Sequence, residues 1–151
     1  MAHPEELSAA EARAEAQEHF DQWFESAAGF LDTATYAASQ GRSKEAAFQL
    51  HQATERFYHC VLLVLTLYSP KSHKLNFLRS QAERLAPELI TAWPRDDRVS
   101  RRAWELLRRA YVEARYSKHY KITDEELSWI ADRVALLRDD VRRVCEARLS
   151  A

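Results

Sequence analysis

The densest gathering of side chains able to handle a phosphate is Arg115-Tyr116-Ser117-Lys118-His119-Tyr120-Lys121. A guanidinium can hold a phosphate through two parallel hydrogen bonds and stabilise charge developing on its oxygens. An imidazole, titrating near neutrality, can move the proton of an RNA 2′-hydroxyl or of a leaving group. Arg115 with His119 therefore suits phosphodiester chemistry without a metal, with Lys118 and Tyr120 as further phosphate or nucleotide contacts. A helix persisting to His119 would set Arg115 and His119 one turn apart on one face, whereas a loop after Tyr116 would leave the histidine freer to move. The plainer alternative makes Arg115 a structural ion-pair partner and His119 a surface residue beside a helix end, and spacing alone favours it.

His51, Glu55 and His59 recur every four residues and so share one side of a helix, a spacing that could supply metal ligands but that polar stripes also produce by chance. In a segment this apolar, Glu55 is expected to pair with an arginine of the fold, because a buried carboxylate without a partner is costly. The sequence carries no Gly-rich phosphate loop, no HExxH, no GxSxG and no Glu-x-x-His pair. No metal or cofactor is expected.

These residues need helices to position them. Phe20, Phe24, Ala27, Leu31, Ala34 and Ala38 alternate steps of three and four, predicting an amphipathic helix from about residue 7 to 39. Gly41 supplies a left-handed stop, and Ser43 is expected to cap the next helix, giving a tight helix hairpin. That second helix, about 44–68, carries Ala47, Leu50, Thr54, Phe57, Val61 and Leu65 on one face and should be the most buried. Ser69-Pro70 ends it. A polar loop, Lys71 to Lys74, leads to a shorter helix sketched by Leu75, Leu78, Ala82 and Leu85, which Pro87 interrupts or restarts before Trp93-Pro94. A fourth helix is predicted from about Asp97 to Tyr116 with Trp104, Leu107, Tyr111 and Ala114 inward. Thr123 and Glu126 form a capping-box pattern ahead of a seam of Leu127, Ile130, Val134, Leu137, Val141 and Val144. The sum is an all-α, up-and-down four-helix bundle with an additional short helix, in a single domain over 1–151.

Composition agrees. Of 151 residues, 46% are apolar and only two are Gly and four Pro, too few breakers for a sandwich or barrel and too apolar a chain for disorder. Cys60 and Cys145 have neither metal nor disulfide-framework spacing and no signal peptide precedes them, which reads as a reduced cytoplasmic protein. The longest apolar run, Cys60 to Tyr68, is about half a membrane span. Net charge is −1, but residues 1–32 hold eight acids, Glu5 and Glu6 among them, against Arg13 alone, while residues 95–121 hold nine bases against four acids. That basic stretch could attract phosphate, although Arg-rich helices are more often solvated faces.

Taken together, His19-Phe20-Asp21-Gln22-Trp23-Phe24 with Ala27 and Phe30-Leu31, the run Ala46 to Tyr58, Ser72-His73-Lys74-Leu75, and Ala110 to Tyr116 resemble a HEPN (higher eukaryotes and prokaryotes nucleotide-binding) domain. The resemblance spans nearly the whole chain and is closest to HEPN domains fused to, or encoded beside, a minimal nucleotidyltransferase. It implies a homodimer with a cleft shared between subunits. In the nuclease branches an Arg, four to six intervening residues and a His cleave RNA in that cleft without metal, sometimes as the toxin of a toxin-antitoxin pair. Here Arg115 matches the Arg, but three residues separate it from His119, one fewer than that pattern. Tyr120 stands near the place where some family toxins carry a tyrosine that the partner modifies with nucleotide. The preferred expectation is a nucleotide-binding partner module acting with a nucleotidyltransferase; the alternative is a metal-independent RNase using Arg115 and His119. The partners are accordingly a second copy, a nucleotidyltransferase protein, and a nucleotide or RNA, with no membrane.

Overall fold

The computed structural model describes residues 7–151, and its order is entirely helical: α1 (Ala9–Ser39), α2 (Ser43–Thr66), α3 (Leu75–Leu85), a 3₁₀ segment (Pro87–Ala92), α4 (Arg98–Arg109), α5 (Glu113–Tyr116) and α6 (Asp124–Ser150). Glu5 and Glu6 of the acidic segment lie outside the described residues. The bundle is all-α, as the periodicity requires.

The hairpin of α1 and α2 is its backbone. Gly41, at φ 73°, makes the left-handed turn that non-glycine residues resist. Trp23 meets His59, Phe24 meets Phe57 and Phe30 meets Arg56, so contacts run in opposite order along the two helices, as in an antiparallel pair. Ser43 is not the cap of α2. Its first residue is Ser43 itself, with Arg42 at the cap position making no side-chain cap bond; the turn at Gly41 completes one residue earlier than the serine rule assumes. Leu67 closes α2 in the left-handed region (φ 63°), before Pro70 can act, so the helix stops two residues short of the expected end.

From Ala46 to Val64 nearly every α2 side chain is buried, which makes it the central helix. α6 lies across it with Leu127, Ile130, Val134, Leu137 and Val141 inward, started by the reciprocal Thr123–Glu126 capping box. Cys60 of α2 and Cys145 of α6 meet in this core as free thiols.

The expected fourth helix is two pieces. Asp97 caps α4 by accepting from the Ser100 amide (2.7 Å), but at its far end the Ala110 amide bonds back to Leu107 rather than one residue further, tightening the chain into a turn over residues 110–112. Arg109 reaches across the break with two 2.8 Å bonds to Glu113. The turn lets Tyr111 lie against Phe48, His51 and His73, and α5 restarts at a new angle. That single break aims Arg115 back towards α2.

Candidate functional site

α2 presents Phe48, Gln52, Glu55, Arg56 and His59 along one strip, at helical spacing. The loop after Leu67 is drawn onto this strip because both ring nitrogens of His59 engage it, Nδ1 with the Ser69 hydroxyl and Nε2 with the Ser72 carbonyl at 3.0 Å. Burial, ahead of the other influences, lowers the pKa of His59. Pinned this way, the loop delivers His73 directly above Glu55, and Tyr111 and Arg115 close the third side. The open cavity between them measures about 570 Å³. A second cavity of about 570 Å³ adjoins it, sharing the walls His73 and Tyr111.

Charge in the site is lopsided. Arg56, Lys71 and Arg115 line the cavity together with one carboxylate, Glu55, and among the described residues none of the three cations is paired with an acid. Arg115 is propped rather than neutralised: its Nε donates to the Tyr111 carbonyl (2.7 Å) and its guanidinium carbon lies 4.7 Å from the Phe48 ring centre, 4.8 Å from Tyr111 and 4.9 Å from Tyr116. Arg56 lies over Phe30 at 4.8 Å, and its buried Nε has no hydrogen-bond acceptor. An aromatic support positions a guanidinium without satisfying its donors, which leaves them for an anion.

Glu55 is 3% exposed, and its partner is a histidine, not the arginine the sequence suggested. His73 Nδ1 donates to Glu55 Oε2 at 3.0 Å, and the imidazole stacks on Tyr111 at 5.5 Å with the rings 15° from parallel. Arg56, the neighbouring arginine, turns instead onto the rings of α1. Glu55 Oε1 has no hydrogen bond. Behind it His51 is buried 4.0 Å away, and burial first, then the nearby charges of His73 and Arg115, push its pKa down to about 4. His51, which lines the adjoining cavity, is therefore neutral near pH 7 and adds no charge behind Glu55.

The residues singled out from sequence are divided by the structure. Arg115 lines the cavity. His119 does not; α5 ends at Tyr116, Ser117 is extended, and His119 is exposed on the following turn with its amide donating to the Ser117 hydroxyl (3.1 Å). The one-turn geometry with Arg115 is thus not formed. Lys118 and Tyr120 line a different cavity, of about 380 Å³, with Arg102 and Lys121. Tyr120 is 1% exposed, its hydroxyl donates to the Leu106 carbonyl (2.7 Å), and burial raises its pKa to about 12. Of the evenly spaced trio on α2, His59 is taken by the loop, and no three His, Cys, Asp or Glu side chains among the described residues are grouped to hold a metal. The sequence reading missed His73, Arg56 and Lys71 as parts of the site. The signals were present in Glu55's need for a partner and in the Ser72-His73 turn, but nothing in the spacing joined them.

The HEPN domain family model matches residues 20–144. The chain belongs to the HEPN domain family, and the all-helical bundle is the fold of that class. No curated protein matches the sequence. Among the described residues, no helix is long and apolar enough to cross a membrane.

Proposed function

We propose that this chain is a nucleotide-binding HEPN module that holds the phosphate of its ligand on Arg115 and works, as a homodimer, beside a nucleotidyltransferase partner. One observation carries it: Arg115, propped on three rings and unpaired with any carboxylate among the described residues, borders a cavity whose other cations are Arg56 and Lys71. Three cations against one acid attract a phosphoryl group, and a guanidinium with free donors can bind it through two parallel bonds. The test is a thermal-melt series with nucleoside mono-, di- and triphosphates, since a ligand that binds only the folded state raises the melting temperature. A rise with wild type that Arg115→Ala removes is the expected result, and co-purification with a co-expressed nucleotidyltransferase supports the partner. Flat melts with every nucleotide would reject the reading.

The alternative, a metal-independent RNase of the toxin type, keeps Arg115 as clamp and requires His119 at the same phosphate. His119 lies outside the wall of the Arg115 cavity in the protomer, so a second protomer would have to bring it there. RNA cleavage in chelator that His119→Ala abolishes would replace the proposal above.

A further inference from the structure

We infer that His73, held by Glu55, is a receptor for a sugar hydroxyl of the bound nucleotide, and that it makes this site favour nucleotides whose sugar carries hydroxyls over those stripped of them; the inference rests on the phosphate reading of Arg115.

The argument begins with a tautomer. A carboxylate can only accept, so the 3.0 Å contact places the His73 proton on Nδ1. A ring carrying only that proton presents a lone pair at Nε2, on the side away from Glu55. Two restraints hold that orientation: the hydrogen bond to a carboxylate that is itself 3% exposed, and the near-parallel stack on Tyr111. His73 is nevertheless open to a ligand, with 65% of its side chain exposed. A buried carboxylate fixing an exposed imidazole is a costly arrangement for a surface histidine with no task, because Glu55 was desolvated to make it and still has one oxygen unpartnered.

Position then selects the ligand group. Tyr111 is shared: its ring centre lies 4.8 Å from the Arg115 guanidinium carbon and 5.5 Å from the His73 ring centre. An acceptor lining the same cavity as the phosphate clamp meets a hydrogen-bond donor on the group attached to that phosphate. In a nucleotide those donors are the sugar hydroxyls, whereas the N–H groups of the base lie beyond the sugar. A 2′,3′-dideoxyribose leaves the acceptor unmatched, whereas a 2′-deoxyribose still offers its 3′-hydroxyl, and a site built to bond a hydroxyl discriminates against the analogue lacking it.

The experiment is calorimetric titration of the whole chain, under mildly alkaline conditions, with adenosine and guanosine 5′-monophosphates and their 2′-deoxy and 2′,3′-dideoxy counterparts. Wild type is expected to bind the ribonucleotide about threefold to tenfold more tightly than the dideoxy form, the value of one net hydrogen bond. His73→Phe, which keeps a ring on Tyr111 but has no Nε2, should bring the ribonucleotide to the dideoxy affinity. Glu55→Gln, which frees the imidazole to turn, should narrow the preference while the protein stays folded. Arg115→Ala should weaken all three sugars alike. Equal binding of the three sugars by wild type, or a preference that survives His73→Phe, overturns the role of His73 and leaves the phosphate reading standing. Absence of binding by any nucleotide overturns both.

Discussion

Two glutamates of this protein sit in nearly the same surroundings and end in opposite states. Glu83, on α3, is buried beside an arginine and a tryptophan: Arg79 Nε donates to one oxygen at 3.1 Å, Arg95 pairs with the other at 2.7 Å, and Arg79 also donates to the Trp93 carbonyl and lies 4.4 Å from the Trp104 ring centre. Glu55, on α2, is as deeply buried among cations and aromatic rings, yet one oxygen has no hydrogen bond, its single partner is an exposed imidazole, and neighbouring Arg56 and Arg115 lean on rings instead. The first cluster is closed around its carboxylate, although the Tyr58 hydroxyl and the Trp93 indole N–H beside it lack partners. The second is open onto a cavity. A closed charge cluster fastens α3 and the segment after it to the core; an open one keeps unsatisfied donors and acceptors where a ligand can reach them.

The contrast can be broken at its strongest point first. Glu83→Ala strands Arg79, itself 5% exposed, and should cost about 3–5 kcal/mol of unfolding free energy, read as a lower urea midpoint. A loss no larger than that of the same change at Glu55 would erase the distinction. Acid probes the open cluster next. His51 stays neutral down to about pH 4 in the fold, against an ordinary value of 6.5, so the unfolded chain takes up a proton first as pH falls. Its contribution is complete above pH 6.5 and is lost progressively towards pH 4, by up to roughly 3 kcal/mol, in a denaturation series; His51→Gln should flatten that slope.

Arg115→Ala sharpens the comparison from the binding side. Nucleotide affinity should fall about tenfold to a hundredfold, the worth of a charged hydrogen-bonding pair, with stability unchanged within about 0.5 kcal/mol because the side chain is exposed. Stability lost in place of affinity would make Arg115 a structural residue. The smallest effect belongs to Glu55→Leu, where an apolar side chain replaces a buried carboxylate whose partner can return to water. Unfolding free energy should change by about 1 kcal/mol or less, in either direction. A loss like that at Glu83 would show Glu55 to be part of the scaffold.

The sequence reading recovers what repeats along the chain and loses what depends on distance across it. The α6 seam and its Thr123–Glu126 cap were legible because cap and stripe are local. The break at 110–112 was not: Ala110-Tyr111-Val112 has no Gly or Pro, and the turn answers to Tyr111 packing against α2 and the 69–73 loop, which no periodicity contains. For the same reason Arg115 was found, as a cation in a basic stretch, while its expected companion His119 falls outside the cavity. The histidine that pairs with Glu55 in the cavity, His73, lies 18 residues from it. Glu55's need for a partner was readable, but the identity of that partner waited on the loop fold.

The two native thiols lend themselves to spectroscopy. Cys60 and Cys145 are sealed in the core at 0% exposure, and the hydrogen bond between them, with burial, pushes the Cys60 pKa far up, so the reactive thiolate is suppressed. Maleimide dyes should pass over the native chain. A Lys71→Cys change would then give the cavity rim a uniquely addressable handle, and a fluorophore there would report ligand arrival in real time without any cysteine having to be removed.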